Sequence, residues 1–258
     1  MPQLIKVTDS IHSFPVPYKD IFVQIYILQT PAGTVLFDTA ACPEDVDQFI
    51  LPALEQLGIT PTHIFISHDH GDHAGGLFRV QSLFPKATVL SRSNRLRDLC
   101  PDLHCPEDGE ILLDVLRVVT VPGHSADSAA LLDLRTGTLV TGDCLQSFGI
   151  YGSGAWYGAI RYPEAHLEAI QKLRQLPIEN IATAHDYHPS GLVSFGRDQV
   201  HRRLDSCIDA LRRLADAIRA NPTLEDARIT ELCNDGTLPT VGTHIIAAVR
   251  KAAEKGLL

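Results

Sequence analysis

An α/β fold is predicted by three features of the chain. Short apolar, β-branched runs alternate with amphipathic helical stretches from the start to about residue 190. Beyond that point only helical patterns remain. Several of the strand-like runs end directly on a turn bearing histidine or aspartate. The organisation expected is one α/β domain over 1–190 and a helical appendage over 191–258, packed on the same domain or at a subunit interface.

The elements follow in order. Lys6–Phe14 and Ile21–Gln29 read as strands, and after the turn Pro31-Ala32-Gly33 so does Thr34–Phe37, giving a β-meander. Pro43–Gly58 reads as a helix: proline and acids at its start, Val46, Phe49, Ile50, Leu54 and Leu57 at helical spacing, glycine at its end. His63–Ile66 and Ala87–Leu90 read as short buried strands flanking a helix over Gly76–Phe84. Glu110–Val121, Ser128–Leu134 and Thr138–Thr141 read as further strands. Glu164–Leu176 is a predicted helix and Asn180–Ala184 a predicted strand. Gly196–Ala220 aligns Val200, Leu204, Ile208, Leu211, Leu214 and Ile218 on one helical face, with the arginine pairs 202–203 and 212–213 expected on the solvated side. Helices over Leu224–Leu232 and Val241–Lys255 close the chain.

Composition removes several function classes. With 45% hydrophobic and 21% charged residues the 258-residue chain is globular and large enough to bury a core without staples. Its 22 basic against 31 acidic residues leave a net charge of −9, which disfavours a phosphate-binding surface, so no nucleic-acid partner is expected. No apolar run approaches the ~18 residues of a membrane helix. The first ten residues hold one lysine and no apolar segment, so neither a signal peptide nor a membrane partner is expected, and the location expected is cytoplasmic. The six cysteines form no C-x-x-C pair and read as free thiols.

The chemistry is carried by Ser67-His68-Asp69-His70-Gly71-Asp72-His73-Ala74-Gly75-Gly76, an H-x-H-x-D-H run on a predicted post-strand loop. Neutral imidazoles and a carboxylate suit a borderline cation such as Zn²⁺. His68 and His70, two apart, can converge on one ion, and Asp72 and His73 can face a second. Three more groups of the same type follow strand ends: Pro122-Gly123-His124, Thr141-Gly142-Asp143 and Thr183-Ala184-His185.

With Phe37-Asp38-Thr39, these motifs make most of residues 1–190 resemble the metallo-β-lactamase superfamily. The resemblance implies a four-layer αβ/βα sandwich with a metal site at the edge between two sheets. It implies His68, His70 and His124 on one ion, Asp72, His73 and His185 on another, Asp143 bridging, and Asp38 as a buried carboxylate behind the ligands. His185 is followed by Asp186-Tyr187-His188 rather than glycine, which makes His188 its rival. Two divalent metal ions are expected, Zn²⁺ first, with Mn²⁺ or Fe²⁺ as alternatives. A hydroxide between the ions would attack the substrate while Asp72 moves a proton to the leaving group.

Around this motif, Tyr151, Trp156 and Tyr157 in a glycine-rich stretch over Phe148–Tyr162 are candidates for a substrate wall, and Tyr187 is either a substrate contact or a core tyrosine. Cys144 reads as a buried thiol. Cys100, His104 and Cys105 lack a fourth ligand, and the histidines at 12, 63, 104, 166, 201 and 244 read as structural or surface groups. The function expected is hydrolysis of a small-molecule ester, thioester or lactone, as in glyoxalase-II-like and lactonase enzymes, with a homodimer through the C-terminal helices as a further expectation. The competing classes are a mononuclear iron oxidoreductase like the persulfide dioxygenases, a β-lactamase-like amide hydrolase, and a non-catalytic metal-stabilised binding protein.

Overall fold

The computed structural model of the chain describes residues 2–150, 160–233 and 243–258. Strands β1 (Ile5–Lys6), β2 (Ile11–Tyr18), β3 (Ile21–Thr30) and β4 (Gly33–Phe37) form the antiparallel meander. The chain then leaves the sheet through α1 (Pro43–Asp45), a π-helical stretch Val46–Ile50 and α2 (Leu51–Leu57), ending on Gly58 at φ 64°. It returns as β5 (His63–Ile66), parallel to β4, crosses α3 (Gly71–Ala74) and α4 (Leu77–Leu83), and adds β6 (Thr88–Ser91) parallel to β5 before α5 (Asn94–Leu99). The helical crossovers are what parallel neighbours require.

The second sheet is built from β7 (Ile111–Leu112), β8 (Leu116–Thr120), β9 (Ala129–Asp133), β10 (Thr138–Val140), β11 (Asn180–Tyr187) and β12 (Gly191–Phe195), with α6 (Pro163–Arg174) crossing between the parallel pair β10 and β11. The strand orders are β1-β2-β3-β4-β5-β6 and β12-β11-β10-β9-β8-β7. The C-terminal part is α7 (Arg197–Ala220), α8 (Asp226–Cys233) and α9 (Thr243–Glu254).

Three apolar cores stack these elements into helices, sheet, sheet, helices. Tyr26, Phe37 and Phe65 of the first sheet meet Leu116, Val118 and Leu131 of the second. The outer face of the first sheet (Ile25, Leu36, Ile64) is covered by Val46, Ile50, Leu54 and Leu77. The outer face of the second (Leu132, Leu139, Ile181) is covered by Ile170 and Leu173 of α6 and by Val200, Leu204 and Cys207 of α7. The far half of α7 joins α8 and α9 through Leu211, Ile218, Ile229, Ile246 and Val249, so the apolar helical faces are covered within the chain. No helix among the described residues is long and apolar enough to cross a membrane.

Four local expectations are corrected. The strand predicted over Lys6–Phe14 is interrupted, because the Val7 and Thr8 amides both turn back onto Ile11 O at 2.9 and 3.1 Å. The strand predicted over Glu110–Val121 is a hairpin folded at Leu113 and Asp114, both at positive φ (47° and 64°). Strand β12 falls where only helix was expected; its five residues begin on Gly191 and stop before Gly196, and these turn signals conceal it. Arg203, expected in solvent, is 1% exposed.

Candidate metal centre

Asp38, His68, His124 and Asp143 each lie just past the end of β4, β5, β8 or β10, and His185 lies near the end of β11. The strand ends gather at one edge of the sandwich. Gly142 allows a close approach between two of them: a Cβ there would stand 2.3 Å from Ser67 Oγ. Gly75 likewise leaves no room for a Cβ, which would meet Ala41 O at 1.9 Å.

The H-x-H-x-D-H run is not a plain loop. It is extended up to His70 (φ −69°, ψ 152°) and then closes into α3, with the His73 and Ala74 amides donating to His70 O at 3.1 and 3.0 Å. The extended half aims His68 and His70 at His124, while the helical turn swings Asp72 and His73 toward His185. His70 Nδ1 lies 3.0 Å from His68 Nε2 and 2.8 Å from His124 Nε2. On the other side, Asp72 Oδ2 lies 3.6 Å from His73 Nε2 and 3.3 Å from His185 Nε2. Asp143 stands between the two sets: Oδ1 is 3.4 Å from both His73 Nε2 and His185 Nε2, and Oδ2 is 3.6 Å from His124 Nε2.

Hydrogen bonds behind the rings set which nitrogen faces inward. Asp38 Oδ2 accepts from His73 Nδ1 at 2.7 Å, leaving His73 Nε2 bare. Oδ2 also accepts from Ser67 Oγ at 2.9 Å, and Oδ1 accepts from Ser67 N at 2.8 Å. With its proton committed to Asp38, Ser67 Oγ is the acceptor for His68 Nδ1 at 3.1 Å, so His68 also turns a bare Nε2 inward. His185 Nδ1 donates to Phe22 O at 2.6 Å, with the same consequence. His124 Nδ1 is engaged by the Gln146 carboxamide at 2.9 Å. Asp38 itself sits at φ 66°, a conformation held by these contacts and by Thr39, whose amide and hydroxyl both donate to His73 O at 2.7 and 3.0 Å.

The electrostatics divide the histidines. Burial, reinforced by His73 and His124, pushes His68 well below its ordinary value. Burial also lowers His70. Burial opposes the charged form of His73 too, yet the Asp72, Asp143 and Asp38 carboxylates outweigh it and hold His73 well above its ordinary value. His185 is raised in the same way, chiefly by Asp143 against burial. Asp143 is held well below the usual carboxylate range: burial acts the other way and is overcome by His185, His73 and His124.

This donor set fits divalent cations. His73 Nε2 is buried and has no hydrogen-bond partner, a rare condition for a polar atom unless something else is meant to meet it. Mixed imidazole nitrogens and carboxylate oxygens suit borderline ions. Two triads, His68-His70-His124 and Asp72-His73-His185, each have their donor atoms within 4.8 Å of one another, as does the set His68-His73-Asp143 linking them.

Other expected site residues are placed as follows. It is His185 that joins the cluster; His188 lies beyond β11, and its carbonyl accepts from Phe148 N at 3.2 Å and from Ser147 Oγ. Tyr187 is fully buried and its hydroxyl donates to Asp143 Oδ1 at 2.8 Å, so it reaches the centre through Asp143. Tyr151, Trp156 and Tyr157 lie outside the described residues. Cys144 is a buried thiol in the core beneath α6 and α7, and burial pushes its pKa up. Cys100 and His104 are partnered by Gln81 and Glu110, and no metal-holding group forms there among the described residues. Sequence reasoning missed Ser67, Gln146 and the Phe22 carbonyl. Ser67 adjoins the motif and Gln146 follows Asp143 by three residues, but a backbone carbonyl carries no sequence signal.

Residues 18–96 match the family model described as the metallo-beta-lactamase superfamily. A hydroxyacylglutathione hydrolase of Xanthomonas axonopodis is 30% identical over 217 residues, covering 81% of this chain and 79% of the relative. One from Thermosynechococcus vestitus is 32% identical over 219 residues, covering 82% and 74%. Among solved structures, a metallo-beta-lactamase family protein of Thermus thermophilus is similar with a TM-score of 0.66 at 18% identity, over 97% of this chain and 95% of that one. A flavo di-iron protein of Thermotoga maritima reaches 0.63 at 18% identity, over 84% and 62%. Likeness at such identity speaks for the fold alone.

Proposed function

This chain belongs to the metallo-β-lactamase superfamily, and we propose that it is a metal-dependent hydrolase that uses two divalent cations, Zn²⁺ first among them, to cleave a small thioester, ester or lactone. The observation that carries this reading is the pair of donor triads with Asp143 between them. The similarity to enzymes named hydroxyacylglutathione hydrolase favours a thioester within that class. His68, His70 and His124 would hold one cation, Asp72, His73 and His185 the other, and Asp143 would touch both. Cations bound there supply Lewis acidity, lowering the pKa of water to about 7 and polarising the substrate carbonyl.

The chain's own groups do the rest. Asp38, Ser67 and the Phe22 carbonyl hold the rings of His73, His68 and His185 with Nε2 facing inward, the atom each would offer to a cation. Tyr187 fixes Asp143 through Oδ1. We assign to Asp72 the proton transfer: its carboxylate takes the proton that the attacking water loses as the new C–O bond forms. It passes that proton to the sulfur or oxygen that departs as the C–S or C–O bond breaks, so protons and electrons balance. A panel of thioesters, lactones, phosphodiesters and β-lactams, assayed with zinc and with manganese, tests the reading. Turnover is expected on the thioesters or lactones; turnover confined to phosphodiesters or β-lactams contradicts it.

Two further outcomes are expected. Asp38→Asn removes the acceptor charge behind His73 and Ser67, and metal retention is expected to weaken about 10–100-fold, the usual cost of deleting a group that orients a ligand. Competition with a chelator measures it. Activity is also expected to fall as the pH drops through about 6, because an imidazole binds metal only when neutral and each added proton displaces it. A pH–rate profile recorded with excess metal checks the sign, and a profile flat to pH 4.5 contradicts it.

A further inference from the structure

His185 is presented by a break in the sheet. Strand β11 pairs with β12 through Ala182↔Val193 and again through Tyr187↔Gly191, so Thr183 to Asp186 lie opposite Leu192 alone. A bulge of this size forfeits ladder hydrogen bonds, and buried backbone groups then need other partners. Tyr26 Oη donates to Thr183 O at 2.6 Å. The Thr183 hydroxyl lies 2.9 Å from both His185 O and Leu192 O and is shared between them.

A further set of bonds to the hairpin comes from α7. Arg203 is 1% exposed and its guanidinium forms no ion pair among the described residues. All its bonds go to the two arms of the bulged hairpin: Nε to Ser194 Oγ at 2.8 Å, one terminal nitrogen to Thr183 Oγ1 at 3.5 Å, and the other to Ser190 O and Gly191 O at 3.2 and 2.6 Å. These acceptors bracket the stretch that carries His185 and Tyr187. The Asp186 carboxylate acts on the guanidinium electrostatically but forms no ion pair with it among the described residues. Burying a guanidinium without a contacting acid is costly, and a packing role alone is filled at lower cost by methionine or leucine. Lysine cannot replace the planar fork that reaches several acceptors at once.

We propose that Arg203 is a positioning residue: from α7 it clamps the β11–β12 bulge so that His185 keeps its Nδ1 bond to Phe22 O and its Nε2 aimed at Asp72 and Asp143. The inference rests on the two-cation reading for its consequence but not for its test. In the metal-free chain, imidazole ¹H–¹⁵N spectra report the Nδ1 protons of His185 and of His73 separately. Arg203→Met is expected to shift or exchange-broaden the His185 signal while the His73 signal, held by Asp38, stays. Arg203→Lys and the milder Ser194→Ala are expected to give smaller shifts in the same direction. In metal titrations, Arg203→Met is expected to weaken one of two equivalents about tenfold or more and leave the other unchanged, with partial rescue in Arg203→Lys. An unaltered His185 proton in Arg203→Lys and Ser194→Ala overturns the proposal even if Arg203→Met fails to fold. Equal disturbance of the His73 and His185 protons also overturns it, making the arginine a general structural brace. A wild-type chain that binds a single cation contradicts the two-cation reading instead, and the contrast between the two protons still decides the role of Arg203.

Discussion

Asp143→Ala is expected to lower kcat/KM on the order of a thousandfold or more, at the upper end of the cost of deleting one preorganised electrostatic group. The reason lies in its position. Its two oxygens are the atoms that reach both donor sets, at 3.4 Å from His73 and His185 and 3.6 Å from His124. Without that carboxylate the two triads have no common oxygen, and Tyr187 loses the acceptor for its buried hydroxyl. The fold is expected to survive, because the apolar cores lie between and outside the sheets and not at this edge. Circular dichroism and thermal unfolding of the metal-free variant, alongside its turnover, make the check. Full turnover would contradict the assignment of Asp143, and global unfolding would make the centre structural rather than catalytic.

Truncation after Ser190 is expected to abolish folding. The cut removes β12 from the edge of the second sheet, exposing the backbone of β11. It also strips Val200, Leu204 and Cys207 from the outer face over Leu132, Leu139 and Ile181. Each buried aliphatic side chain contributes about 1.5–3 kcal/mol, while a whole domain is stable by about 5–15 kcal/mol. Losing these aliphatic residues and the core partners they cover exceeds that margin. The Arg203 clamp on the bulge is lost with them. The truncated chain is expected in the insoluble fraction after expression. A soluble truncated chain with a cooperative unfolding transition and full activity would contradict this.

Much of this molecule was legible because its strands are short, apolar and punctuated. The runs ending at Phe37, Ile66, Val121 and Thr141 stop on aspartate, serine, proline and glycine, and the polar residues at or just after these stops are the ones gathered at the sandwich edge. The second half of the H-x-H-x-D-H run gave no helical signal, since a four-residue helix has no periodicity to read. Strand β12 was hidden by its length and by glycine at its start and just past its end. Arg203 did leave a trace: it sits three residues after Val200 and four before Cys207, a core position by helical period, and its charge alone suggested solvent. The hydrogen-bond partners behind the histidine rings were the least legible layer, because Ser67 and Phe22 act through tertiary contacts that spacing does not encode.

The claim that two divalent cations sit in these triads is tested most directly by elemental analysis of the full chain purified without added metal. The expected result is two divalent ions per chain, zinc predominating, both lost on dialysis against a chelator together with thioester or lactone hydrolysis, and both restored by zinc. A single iron per chain, with no second ion taken up when zinc is supplied, would contradict it.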